Sequence, residues 1–130
     1  MGDLEKILLI MSLCPTYADM RLKGIQRLII PPLKLGQYKI YNDEEVLTGF
    51  ASWALLSDES SEEYKNTDYK LQVKDWNSGD NLWLINVLCP MGGGSVVLRR
   101  LDKLRKEMGL SKRVNFKRLG SNRVNNVKRI

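Results

Sequence analysis

Apolar residues recur at helical spacing twice near the start of the chain. Leu4, Ile7, Leu8 and Met11 predict a first helix from Asp3, as its cap, to about Leu13, ended by Pro15. Met20, Leu22, Ile25, Leu28 and Ile29 predict a second, capped by Asp19 and stopped by Pro31 and Pro32. The period then changes to alternation. Residues 37–42 and 46–56, joined by a polar turn, predict a hairpin. Residues 57–66 are polar and acidic, a loop or a short exposed helix, and residues 69–76 alternate weakly as a further strand. Residues 82–88 are almost wholly apolar, as expected of a central strand buried on both faces.

The junction after that run is the most informative in the chain. Cys89-Pro90-Met91 ends the strand, Gly92, Gly93 and Gly94 follow, and a helix is predicted from Ser95 to about Met108, with Gly109 as its stop. Residues 113–119 and 123–130, about a Gly120-Ser121-Asn122 turn, read as a closing hairpin. The order ααββ(α)ββαββ predicts an α+β fold with a central mixed or antiparallel sheet flanked by helices, in a single domain over residues 1–130.

Charge sharpens this picture. The net charge is +6, but the twelve basic residues from Arg99 onward face only Asp102 and Glu107. That stretch therefore carries +10 and the first 98 residues −4. Arg99, Arg100, Lys103 and Lys106 lie on the outer face of the predicted helix. They make it a candidate dock for an acidic partner: an acidic protein, nucleic acid, or another copy's acidic half. Without that partner the stripe is a solvated face. A strand entering a helix through glycines also turns free N–H groups on an anion. Gly92, Gly93, Gly94 and Ser95 are thus a candidate phosphate cradle, with Ser95 as helix cap.

Several chemistries are excluded or weakened. The chain contains no histidine, so imidazole serves neither as base nor as metal ligand. Cys14 and Cys89 form no CxxC pair and read as packed, reduced thiols, and no metal site is expected. Trp53, Trp76 and Trp83 read as core aromatics. No apolar run approaches a membrane span, and the acidic residues before residue 7 argue against a signal peptide, so a cytoplasmic location is expected.

Three segments together resemble the toxin-activating lysine acyltransferases, bacterial enzymes that acylate internal lysines of RTX protoxins. The run Asp75-Trp76-Asn77-Ser78-Gly79-Asp80-Asn81-Leu82-Trp83-Leu84-Ile85-Asn86-Val87-Leu88-Cys89-Pro90-Met91-Gly92 is similar to that family's D-W-x-S-G-D-x-x-W-x-I-D-x-I-A-P-F-G. Phe50-Ala51-Ser52-Trp53-Ala54 resembles its C-S-W-A, and Pro31-Pro32-Leu33 with Gln37-Tyr38 its P-A-I and Q-Y. The resemblance implies a GNAT-type fold. It also implies an acyl-phosphopantetheine donor on acyl carrier protein, with no permanently bound cofactor and an acidic protein partner.

The same comparison removes the expected reactive pair. The family's histidine, in S-P-x-H, falls at Tyr17 of Cys14-Pro15-Thr16-Tyr17, and its aspartate, in W-x-I-D, falls at Asn86 of Trp83-Leu84-Ile85-Asn86. A tyrosine titrates near pH 10 and an amide takes no proton. The expectation is a divergent relative with weak or lost catalysis. Alternatives are a non-catalytic binding or structural protein, such as a phage virion or host-interaction component, and a nucleic-acid binder using the basic C-terminal quarter. A virion component would place the protein in the particle instead of the cytoplasm, and an oligomer with other subunits stays open.

Overall fold

The computed structural model describes residues 1–66, 68–90, 92–117 and 127–129. Helix α1 (Asp3–Ser12) buries Ile7, Ile10 and Met11. Asp3 does not cap it: Gly2 is the cap residue, and the Asp3 carboxylate accepts a hydrogen bond from the Tyr38 hydroxyl. Pro15 begins the short α2 (Pro15–Ala18), where its missing N–H costs nothing.

The second predicted helix is broken in two, α3 (Leu22–Leu28) and α4 (Ile30–Leu35). Arg21, not Asp19, is the cap residue of α3. Pro31 and Pro32 start α4 instead of stopping α3, because a first helical turn has free N–H groups in any case.

The predicted hairpin is formed by β1 (Tyr38–Asp43) and β2 (Val46–Leu56), antiparallel. The acidic segment forms α5 (Asp58–Tyr64), capped by Ser57, whose hydroxyl accepts from the Ser60 N–H. Residues 69–76 form no strand. A single 3-10 turn, Val73–Asp75, stands there, held by a reciprocal capping box between Gln72 and Asp75.

Strand β3 (Asn81–Leu88) is central, antiparallel to β2 and parallel to β4 (Asn115–Lys117), with α6 (Gly94–Glu107) as the crossover between them. Strand β5 (Val127–Arg129) closes the sheet in the order β1-β2-β3-β4-β5. The turn expected at residues 120–122 lies outside the described residues. The sheet is mixed, as expected of this α+β chain. One face packs Ala51, Trp53, Leu82 and Leu84 under Val97 and Leu101 of α6. The other packs Phe50 and Leu88 under α1, with Ala54, Trp76, Trp83 and Ile85 beside them. All three tryptophans are buried core, as expected. No helix among the described residues is long and apolar enough to cross a membrane.

Candidate functional site

Asn86 owes its direction to a bulge. Along β3, Leu82 and Leu84 face α6, while Trp83 and Ile85 face the opposite core. Strict alternation would send Asn86 toward α6. The register instead runs Trp53↔Leu84 and then Ser52↔Asn86, leaving Ile85 as an extra residue. The bulge resets the phase and turns Asn86 to the helix α2 side.

There it meets Tyr17. The Tyr17 hydroxyl donates to Asn86 Oδ1 at 2.8 Å, although 69 residues separate them. The Asn86 amide donates its two hydrogens to the Leu28 carbonyl at 3.0 Å and the Ser52 hydroxyl at 2.7 Å. Asn86 is 1% exposed and Tyr17 8%. Burial, reinforced by the neighbouring Cys14 thiol, pushes the Tyr17 hydroxyl up to about 12. At neutral pH it stays protonated and donates; it is no base. Tyr64 lies close by, also pushed up to about 12, by burial and then by Tyr17. This cluster ties α2 and α3 to the sheet.

The glycine junction lies beyond the C-terminal end of β3 and leads into α6. Gly92 and Gly93 have φ of 91° and 96°, in the left-handed region. Nothing lies within 4 Å of a Cβ built on either, so backbone conformation demands glycine there, not crowding. Gly93, not Ser95, is the helix cap residue; Gly94 and Ser95 fall in the first turn, and the Ser95 side chain lies outside the described features. A cleft of about 380 Å³ opens beside this turn, between Gly93, Val96 and the β1–β2 hairpin at Tyr41 and Thr48. Cys89 lines it, its thiol pushed up by burial and so unactivated. The Cys14 thiol is likewise raised by burial.

Of the basic stripe on α6, Arg99, Arg100, Lys103 and Lys106 are all exposed. Lys106 lies 3.6 Å from Asp102, and the Arg100 guanidinium sits 5.1 Å from the centre of the Tyr41 ring. Arg105, which the charge pattern groups with them, is spent internally on Asp102 at 2.9 Å and the Leu110 carbonyl at 2.8 Å. The stripe and the Tyr17–Asn86 pair are therefore on opposite faces of the sheet, and the structure does not bring them together.

Sequence reading missed a second buried polar centre. Asp75 is 2% exposed and accepts hydrogen bonds from the Ser60 hydroxyl (2.9 Å), the Tyr69 hydroxyl (2.6 Å) and the Gln72 N–H (2.7 Å). Ser78 donates to the Asp75 carbonyl and accepts from the Ser57 N–H. A Cβ on Gly79 would lie 2.5 Å from the Ser57 Cα. The D-W-N-S-G-D run was visible in the sequence, but its work is to lock the corner that leads into β3. Among the described residues no cluster of three or more carboxylates and thiols is placed to hold a metal.

Residues 3–130 match the RTX toxin acyltransferase family. The chain is 28% identical over 87 residues to an RTX-II toxin-activating lysine-acyltransferase of Actinobacillus pleuropneumoniae, covering 67% of this chain and 54% of that protein. It is 32% identical over 89 residues to the leukotoxin-activating lysine-acyltransferase of Aggregatibacter actinomycetemcomitans, covering 68% and 53%. An uncharacterized protein of Synechocystis is 28% identical over 100 residues, covering 75% of this chain and 68% of that one. The aligned stretch spans about half the length of the two toxin-activating relatives.

Proposed function

The chain belongs to the RTX toxin acyltransferase family, and from that premise we propose that it is a divergent GNAT-like acyltransferase domain whose acid–base chemistry is weakened or lost. The observation that carries this reading is the closed hydrogen-bond set of Asn86 with Tyr17, Leu28 and Ser52. Acylating a lysine requires its ammonium to lose a proton before the amine attacks a thioester carbonyl and the thiolate leaves. A free lysine titrates near pH 10.4, so a positioned base matters at neutral pH. Neither Tyr17, pushed up to about 12, nor the Asn86 amide supplies one. What remains is positioning and backbone stabilisation of the oxyanion, which sustain only slow transfer.

In this reading the donor is acyl carrier protein. Its phosphopantetheine phosphate lies against the Gly92–Gly93 turn and the first turn of α6, and its acidic surface lies on Arg99, Arg100, Lys103 and Lys106. The domain acts in the cytoplasm as a binder of acylated carrier more than as a transferase. Intact-mass spectrometry of a lysine-bearing protein incubated with acylated carrier protein tests it. The wild type should be slow or silent, and Tyr17→His with Asn86→Asp should raise transfer by ~10²–10⁴-fold. Brisk wild-type transfer would overturn the reading.

A further inference from the structure

Strand β1 is an open edge. Among the described residues it pairs with β2 alone and stands first in the sheet order. Ladder bonds alternate along an antiparallel pair, so every second residue of β1 turns its N–H and C=O to the free side. Unpaired edges of this kind accept an added strand. Two clefts flank this one. On the α6 side, about 310 Å³ lies over Trp53, Leu101 and Leu104, with Lys39, Arg100 and Lys103 around its mouth. On the α1 side, about 430 Å³ lies between Asp3, Lys6, Tyr38 and Ile40. Successive side chains of an added strand point to opposite faces, so each cleft would receive every second residue.

Charge decides what would lie there. Lys39, Arg100 and Lys103 are exposed and, among the described residues, none is in an ion pair. Glu107 is the one carboxylate lining that cleft. Toward the hairpin turn the sign reverses, with Asp43, Glu44 and Glu45 in succession. A second copy is a poor occupant. Antiparallel pairing of two β1 edges would set each Lys39 against an Asp43, but it would bring together the two Arg100 guanidiniums, each 5.1 Å from the centre of the Tyr41 ring near the middle of the strand.

We propose that the free edge of β1 docks an extended peptide segment of a partner protein, acidic where it passes Lys39, Arg100 and Lys103 and basic where it passes Asp43 to Glu45. Backbone pairing supplies the affinity, and the charge order fixes the peptide's direction. The proposal does not depend on acyl transfer, since it concerns binding along β1 alone.

A fluorescein-labelled ten-residue peptide of alternating valine and glutamate, with two lysines at one end, is the reagent. Fluorescence anisotropy at low salt should show saturable binding, with amide NMR shifts concentrated in residues 38–43. N-methylating one alternate set of its amides should abolish binding, while methylating the other set should leave it intact. Lys39→Glu with Lys103→Glu should weaken binding about tenfold or more, an effect that fades near 1 M salt, where the Debye length is ~3 Å. Four results would each overturn the proposal: no binding, equal binding of a peptide with all charges reversed, indifference to both N-methylation patterns, or concentration-dependent dimerisation through the β1 amides.

Discussion

Asp75 and Asn86 have side chains of nearly one shape and almost equal burial, yet their surroundings are opposite in polarity. Three donors converge on Asp75, from Ser60, Tyr69 and Gln72. Burial alone would raise its carboxyl, but hydrogen bonds from Tyr69, the Gln72 N–H and Ser60 outweigh it and hold the group below the ordinary range. Asn86 receives one donor, from Tyr17, and faces the Leu28 carbonyl, which can only accept. One pocket is built for a charge and the other for a neutral amide. Asn86 crosslinks α3, α2 and the sheet.

That contrast predicts its largest effect for Asn86→Asp. One carboxylate oxygen still accepts from Tyr17, and the Ser52 hydroxyl can rotate to donate. The other oxygen meets the Leu28 carbonyl with no proton between them, and among the described residues no cation hydrogen-bonds to this position. The cost should be roughly 3 kcal/mol at neutral pH. The new carboxyl's pKa would be raised by burial, so the loss should shrink as pH falls and the group protonates. Urea unfolding at pH 7.5 and 4.5 checks this, and an equal loss at both values would break the comparison. Adding Tyr17→His should return part of the lost stability at neutral pH, by placing a cation beside the new charge.

Asp75→Ala ranks next. It strands the Ser60 and Tyr69 hydroxyls and the Gln72 N–H, and it dismantles the capping box at the corner. A loss of about 2–3 kcal/mol follows, since the half-exposed Tyr69 can turn to water while the buried Ser60 cannot. Thermal unfolding measures it. A loss below 0.5 kcal/mol would mean that the corner is held by Trp76 packing and not by the carboxylate.

Smaller still is Tyr17→Phe, at about 1 kcal/mol, the usual worth of one buried neutral hydrogen bond. It leaves Asn86 Oδ1 with no donor. Tyr69→Phe should cost less, because Asp75 keeps Ser60 and the Gln72 N–H. If the two tyrosine changes proved equal in chemical denaturation, the single-donor account of Asn86 would be wrong.

Much of the scaffold was readable because it depends on local pattern. The apolar run of β3, the hairpin and the helix after Gly93 follow from periodicity and from glycines that the backbone needs. Pro31 and Pro32 misled because a proline pair suits a helix start as well as a stop, and only packing chose between them. The weak alternation of residues 69–76 was overridden by side-chain bonds to Asp75, which no period encodes. The meeting of Tyr17 with Asn86 came from the family resemblance alone. Its geometry depends on the Ile85 bulge, and nothing in the residues around Ile85 announces a bulge.

The finest test replaces the charge at position 75 without changing the shape. In Asp75→Asn the remaining oxygen can still accept from Tyr69 and the Gln72 N–H, while the new amide donates to the Ser60 hydroxyl, which rotates to accept. Only the charge assistance is lost, worth about 1 kcal/mol or less at pH 7. Its signature lies in the pH dependence. The Asp75 carboxyl is lowered in the folded protein, so its contribution is fully present above the unfolded value near pH 4 and disappears as pH falls through the folded value. The gap between wild type and Asp75→Asn should therefore be widest at neutral pH and close toward pH 2, giving the variant the flatter acid limb. Denaturant midpoints measured across that range decide it. A gap that stayed constant would show that the three donors stabilise shape and not charge, and Asp75 and Asn86 would then be two versions of one neutral crosslink.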